Sequence, residues 1–189
     1  MIFVVALLVG FAFGAIDQYI GTLHVTLRVG FWTHAVSQMS ALWLLLPFLL
    51  GSMQERVRRG ALVGLLATFA ALFGYFLMGY SPFEGHPFSD AIPGLSGWAR
   101  SNAPWVAGGL MSGPVFGALG ARWRSRRSLV AAAIMAGVLL AEPPLRAVAG
   151  QLSGPAWVWS VEFAAGVVLL VVFARQRRLD PAGGLASAD

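Results

Sequence analysis

Long apolar runs separated by short polar stretches dominate the chain. Each run is about 20 residues long, which at about 1.5 Å of rise per residue matches a hydrocarbon core of about 30 Å. The pattern predicts an all-α integral membrane protein, with six transmembrane helices in one bundle. One membrane domain then covers 1–178, and the Ala-, Gly- and Ser-rich tail over 179–189 is expected to be disordered. The predicted spans are 1–20, 33–51, 60–80, 103–121, 128–149 and 156–174.

The arginines set the predicted orientation, because basic residues stay on the cytoplasmic side of a membrane. Ten of the 13 basic residues follow the second, fourth and sixth spans, within 56–59, 122–127 and 175–178. The other three are Arg28, Arg100 and Arg146. This asymmetry requires an even number of spans with both termini in the cytoplasm. The first run lacks a basic n-region and a cleavage site, so we interpret it as a retained helix and not a signal peptide.

Composition supports this class and excludes others. The chain is 58% hydrophobic and only 11% charged, whereas charged residues make up about a quarter of soluble domains. The net charge of +5 comes from arginines clustered between apolar runs, so we expect the lipid bilayer and no nucleic acid as partner. Without cysteine, disulfides and thiolate catalysis are excluded.

No familiar catalytic or cofactor motif is present: HExxH, GxSxG, a P-loop and a strand-borne GxGxxG are all missing from the sequence. Glu84, His86 and Asp90 have a spacing that matches no standard metal site. We therefore predict no cofactor, no metal site and no catalytic residue, and regard an enzyme as the less favoured class.

Asp17 is the first candidate for a polar role inside the membrane. Gly10, Gly14, Asp17 and Gly21 recur at helical spacing, so they share one face of the first span. Gly10 and Gly14 suit close helix packing, and Asp17 lies at the outer end of that face. The alternative is an aspartate solvated at the interface.

The second and third spans add further polar groups in their outer halves. His34 and Gln38 belong to one stripe of the second span, where a structural hydrogen bond between helices is the alternative role. Pro47 is expected to kink this span, and Trp43 to serve packing. Tyr75 places a hydroxyl in the outer third of the third span.

The fifth span carries Glu142, followed by Pro143 and Pro144. Two prolines remove backbone donors and disfavour helix before them, so we expect the helix to break here. A broken helix at membrane depth survives only where it is buried or lines a wet cavity. Arg146 is near enough to pair with Glu142, which is the alternative. Glu162 lies in the outer third of the last span, where a pair between helices is the alternative.

These groups lie at similar depth beneath the 81–102 segment, whose three prolines predict an irregular loop. Intramembrane polar groups are expensive and usually functional. We therefore expect an outward-facing, net acidic cavity that favours a small polar or cationic solute, or protons. Its predicted ligand-binding residues are Asp17, His34, Gln38, Tyr75, Glu142 and Glu162.

The fourth span is rich in small residues and contains Pro114. Its glycines suit close packing at the centre of the bundle. The packing residues predicted here are Gly109, Gly113 and Gly117.

Three functional hypotheses follow. The first is binding or transport of a small solute, by the chain alone or as a membrane subunit of a larger transporter. The second is a non-transporting subunit that packs against a partner membrane protein through its glycine faces. The third is an intramembrane enzyme in which Asp17, His34 and Glu162 act as acid and base.

The segments 14–19, 39–47 and 74–78 resemble a family of small multi-span membrane proteins, a domain of unknown function found mainly in actinobacteria. The resemblance implies a multi-pass protein of the bacterial plasma (inner) membrane and brings no substrate with it. By architecture alone the chain is also similar to the substrate-binding S-components of energy-coupling-factor transporters.

Overall fold

The computed structural model describes residues 1–26 and 30–179, and the side chains of all of these except 24–26, 88 and 177–179. Of the tail predicted to be disordered, 179–189, all residues after 179 lie outside the described part of the chain. Within the described ranges all regular structure is helical. The α-helices are α1 (Ile2–Thr26), α2 (Trp32–Ser37), α3 (Ser40–Ser52), α4 (Val57–Gly79), α5 (Ala91–Ser101), α6 (Ala103–Arg126), α7 (Leu129–Val148) and α8 (Ala156–Leu179).

Four of the described helices are long and apolar enough to cross a membrane, which indicates a membrane protein. They are the segments Ile2–Leu23, Val57–Gly79, Leu129–Val148 and Ala156–Gln176. The predicted second span is represented by two shorter helices, α2 and α3, and the apolar part α3 has only 13 residues. The predicted fourth span is a continuous helix of 24 residues, but its glycines and prolines lower its hydropathy.

Helix α4 lies at the centre of the bundle and packs on α1 through glycine. A β-carbon at Gly10 would overlap the backbone of Ala67, and one at Gly14 would overlap that of Ala71. Because the residue numbers rise together along the interface, α1 and α4 run parallel. The absence of side chains at these glycines is what lets the two backbones touch.

The opposite side of α4 packs on α6 in the same way. Gly64 faces Gly113, and Gly60 faces Gly117, with no room for a β-carbon at either pair. The numbers run in opposite senses, so α4 and α6 are antiparallel. Gly109 differs from its neighbours, because a β-carbon there would make only ordinary contacts at 3.5 Å with the side chains of α4.

Aromatic rings join α3, α6 and α8 at one end of the bundle. The Phe173 ring lies 4.3 Å from that of Trp123 and 6.1 Å from that of Phe48, measured between centroids. Since Gly60 also lies beside Ala121, the start of α4 is at this end too. The arginines of 56–59 and 122–127 therefore lie at the same end of the bundle as the C-terminal part of α8.

The 81–102 segment is more ordered than predicted. Two 3-10 turns, Pro82–Glu84 and Phe88–Asp90, lead into α5, so the expectation of an irregular loop is wrong over its second half. Pro93 is compatible with α5 because it lies in the first turn, where backbone N–H groups have no partner within the helix. Trp98 of α5 contacts Phe76 of α4, with ring centroids 5.2 Å apart.

The helix break predicted at Glu142 is also wrong. Helix α7 continues through Pro143 and Pro144 to Val148. The two prolines withhold donors from only two carbonyl groups of the preceding turn, and the helix ends a few residues later. The break occurs instead in the predicted second span, between α2 and α3. Pro47 lies farther along and is accommodated inside α3.

Candidate functional site

The site is organised around the break between α2 and α3. Helix α2 ends at Ser37 and α3 begins at Ser40, and between them Met39 has an extended backbone with φ −71° and ψ 104°. A helix end leaves N–H and C=O groups without partners inside the helix. Within an apolar layer these groups need other partners, because unsatisfied backbone there costs several kcal/mol.

Glu142 of α7 supplies the partners for the start of α3. Its Oε1 accepts from the Ser40 N–H at 2.8 Å, and its Oε2 accepts from the Ala41 N–H at 2.6 Å. A carboxylate at a helix N-terminus is also favoured by the helix dipole. Glu142 thus caps a helix that belongs to a distant part of the chain.

Arg146, one turn farther along α7, serves the other side of the break. Its Nε donates to Glu142 Oε1 at 2.7 Å, while Nη2 donates to the Gln38 carbonyl and, at 3.1 Å, to Ser40 Oγ. The Trp159 ring of α8 covers the guanidinium at 5.4 Å. The ion pair therefore connects both ends of the break to α7, and the Nε and Nη2 groups of Arg146 are engaged in it.

Glu162 of α8 lies beside this ion pair, and its carboxylate lacks hydrogen-bond partners. It is only 3% exposed, and neither carboxylate oxygen accepts a hydrogen bond from the described part of the chain. Glu142 and Arg146 are its electrostatic neighbours, and Glu142 lies near enough to share a proton if either carboxyl group holds one. With all three groups ionised the cluster carries one uncompensated negative charge.

Glu162 lines a cavity of 210 Å³ between α3, α7 and α8. Apolar side chains form the rest of its wall. The complete lining is Met39, Leu42, Leu45, Leu139, Val161, Glu162, Ala165 and Leu169. Chemically, this is an apolar space with a single acidic group, which can hold a proton or a cation and an apolar body.

Asp17 and Tyr75 belong to a second group of polar residues. Asp17 is 7% exposed and accepts a hydrogen bond from Trp43 Nε1 at 3.2 Å, so it is buried and not solvated at an interface. The Trp43 ring also packs 5.9 Å from Tyr75 and 5.5 Å from Phe13. Trp43 therefore does more than pack, because it also provides the donor for Asp17.

The remaining two predicted residues play smaller parts in this geometry. His34 of α2 is half-buried, and its ring lies 5.0 Å from that of Phe31. The Gln38 side chain is exposed, and only its backbone carbonyl joins the site.

Sequence reasoning missed Ser40, assigned Trp43 to packing alone, and treated Arg146 only as a possible partner for Glu142. The four-residue spacing of Glu142 and Arg146 was a usable signal for their pair.

In the 81–102 segment, Glu84 accepts a hydrogen bond from Thr22 at 2.5 Å. Among the residues with described positions, no group of three acidic or histidine side chains is placed to hold a metal ion.

Comparison with known proteins identifies the family. The chain matches the model of DUF6518, a family of unknown function, over residues 1–188, and it belongs to that family. Comparisons with curated proteins and with solved structures gave no match.

Proposed function

We propose that this DUF6518 chain is a six-span protein of the bacterial plasma membrane that binds or transports a small solute beside the break in its second span. It acts alone or as the membrane subunit of a larger transporter. Both termini lie in the cytoplasm. The observation that carries the proposal is the broken α2–α3 segment with the unpaired Glu162 carboxylate beside it.

The six-span topology is supported by the helix directions. Helices α2 and α3 together make one crossing, and the 24-residue α6 makes another. Helix α1 runs parallel to α4 and α4 antiparallel to α6, as alternating crossings require. The arginine clusters share one end of the bundle, which the positive-inside rule assigns to the cytoplasm.

The absence of cysteine from the chain makes this topology testable by single-cysteine labelling. Gly30→Cys and Glu55→Cys flank the broken span. Ser89→Cys lies before α5 and α6, and Ser125→Cys lies in the last turn of α6. A membrane-impermeant maleimide added to intact cells should label positions 30 and 89, and reach 55 and 125 only after permeabilisation. Equal labelling within either pair would remove that crossing from the topology.

A solute site at the break is supported by how such breaks are used in membranes. Transporters commonly place substrate sites at interrupted helices, where half-helix ends and unwound backbone face the ligand. Here Glu142 and Arg146 satisfy the broken ends themselves. This leaves Glu162 and the adjoining cavity for a ligand.

Native mass spectrometry of the chain, extracted gently from its own membranes, tests the proposal. A lone chain that carries a small non-lipid adduct, lost in Glu162→Gln but kept in the exposed control Glu55→Gln, supports a solute site. A reproducible second polypeptide and no adduct would instead favour the interaction-subunit hypothesis.

The other two hypotheses have less support. The glycine faces proposed for a partner are used within the chain, since Gly14 meets α4 and Gly117 meets both α3 and α4. An intramembrane enzyme would need Asp17, His34 and Glu162 around one substrate. Of these three, only Glu162 lines the described cavity.

A further inference from the structure

The cavity beside Glu162 has a distinct orientation in the bundle. Glu162 and Met39 line one end of it, while Leu45 and Leu169 line the end nearer the arginine clusters. Val161 also lines the cavity, although it is 60% exposed on the outer surface of α8. The cavity therefore opens sideways, onto the apolar surface that would face lipid.

At the end of the cavity lined by Glu162 and Met39, neither Glu162 oxygen has a hydrogen bond or an ion pair with the described residues. Burial of a carboxylate without a hydrogen-bond partner is costly in apolar surroundings. Arg146 is the nearby cation, but its Nε and Nη2 groups donate to Glu142, Gln38 and Ser40 and not to Glu162. A ligand with one positive charge would balance the net negative charge of this cluster.

The lining restricts which cation can bind. Hard metal ions need several oxygen ligands, and the cavity wall presents one carboxylate among hydrocarbon side chains. An organic cation has no such requirement, because its own apolar body can contact Leu45, Leu139 and Leu169. Access from the bilayer side also suits an amphipathic molecule that partitions into membranes.

We propose that the cavity between α3, α7 and α8 binds a monovalent organic cation with an apolar body, with its charge at Glu162 and entry from the bilayer. This inference rests on the proposed solute-binding function and names its substrate class.

The test uses the purified full chain in lipid nanodiscs and radiolabelled benzyltrimethylammonium as probe. Neopentylbenzene, its neutral isostere, serves as competitor. The wild type should bind the cation, and Glu162→Gln should weaken binding by about tenfold or more, since a buried charge pair is lost. Neopentylbenzene should compete poorly.

A steric pair of variants tests the location. Ala164 and Ala165 are both exposed on α8, but only Ala165 lines the cavity. Ala165→Phe should abolish binding, and Ala164→Phe should leave it unchanged. If Ala165→Phe fails to fold, the smaller Ala165→Leu should still reduce binding. Equal binding in the phenylalanine or leucine variant and the control would overturn the proposed location.

Other outcomes separate this inference from the proposed function. Undiminished binding to Glu162→Gln, or equal competition by neopentylbenzene, would show that the cavity recognises only apolar bodies and would overturn the cation class. If the probe does not bind but native mass spectrometry shows a Glu162-dependent adduct, the cation class is overturned and the proposed solute site is retained. If neither probe binding nor an adduct is observed, the cation class and the proposed solute site are both overturned. Glu162 would then have a structural role, sharing a proton with Glu142.

Discussion

Two regions of the bundle differ in how closely their helices pack. In the glycine interface, formed by α1, α4 and α6, backbones touch where Gly10, Gly14, Gly113 and Gly117 leave no side chain between them. In the charged corner, formed by α3, α7 and α8, side chains of all three helices line a cavity that contains Glu162 and opens sideways. The cavity lies beside the interrupted helix, while the glycine interface is closely packed.

Gly14→Ala should have the largest effect on stability. Its β-carbon would overlap the Ala71 backbone, which cannot move aside as a side chain can. We expect the free energy of unfolding to fall by about 4 kcal/mol, or folding to fail. Thermal unfolding followed by circular dichroism in detergent measures the loss.

Gly108→Ala is the matched control, since nothing lies within 4 Å of a β-carbon at that position of α6. It should stabilise α6 by up to about 1 kcal/mol through helix propensity. Equal losses in the two variants would mean that backbone contact is not what holds the glycine interface together.

Glu142→Ala should have the next largest effect, and it acts on the charged corner. The change leaves Arg146 without its carboxylate and removes the acceptors for the Ser40 and Ala41 N–H groups. We expect a loss of about 3 kcal/mol in the free energy of unfolding. The double variant with Arg146→Ala should lose less than the sum of the single losses. Strict additivity would show that the ion pair does not act as a unit.

Sequence reasoning located the helices well and the break poorly, for a physical reason. Hydropathy is a local property, so both ends of α4 could be predicted to within three residues, while α1 and α8 continue six and five residues beyond the predicted spans. The break at Met39 depends on Glu142 and Arg146, which are about 100 residues away in the chain. No proline or glycine at positions 37–40 indicates it.

The candidate site was predictable only as a set of residue types. The sequence suggested a shared depth for Asp17, Glu142 and Glu162, but not that α3 would separate them. Asp17 is bonded to the Trp43 side chain, while Glu142 is bonded to backbone at the start of the same helix. Which carboxylate lacks a donor follows from side-chain placement, which no pattern along the chain encodes.

Trp43→Phe should have an intermediate effect, because it removes the donor for Asp17 and keeps the aromatic contact with Phe13. A buried acceptor that loses its hydrogen bond costs about 1–2 kcal/mol, which thermal unfolding can resolve. Trp105→Phe is the control, since Trp105 is 76% exposed. A loss no larger than that of the control would show that the hydrogen bond between Trp43 and Asp17 contributes little.

Glu162→Gln should have the smallest effect on stability and provides the sharpest contrast within the charged corner. Glu142 and Glu162 are the same residue type in neighbouring positions, but only Glu142 accepts hydrogen bonds from described donors. The change at Glu162 removes an uncompensated charge and no hydrogen bond, so the free energy of unfolding should stay within about 1 kcal/mol of the wild type, or rise. Glu142→Gln, measured alongside, should lose about 2 kcal/mol because an amide replaces an engaged carboxylate. Equal losses would mean that Glu162 stabilises the fold through a proton shared with Glu142, and the corner would then be a closed structural network instead of a site that awaits a cation.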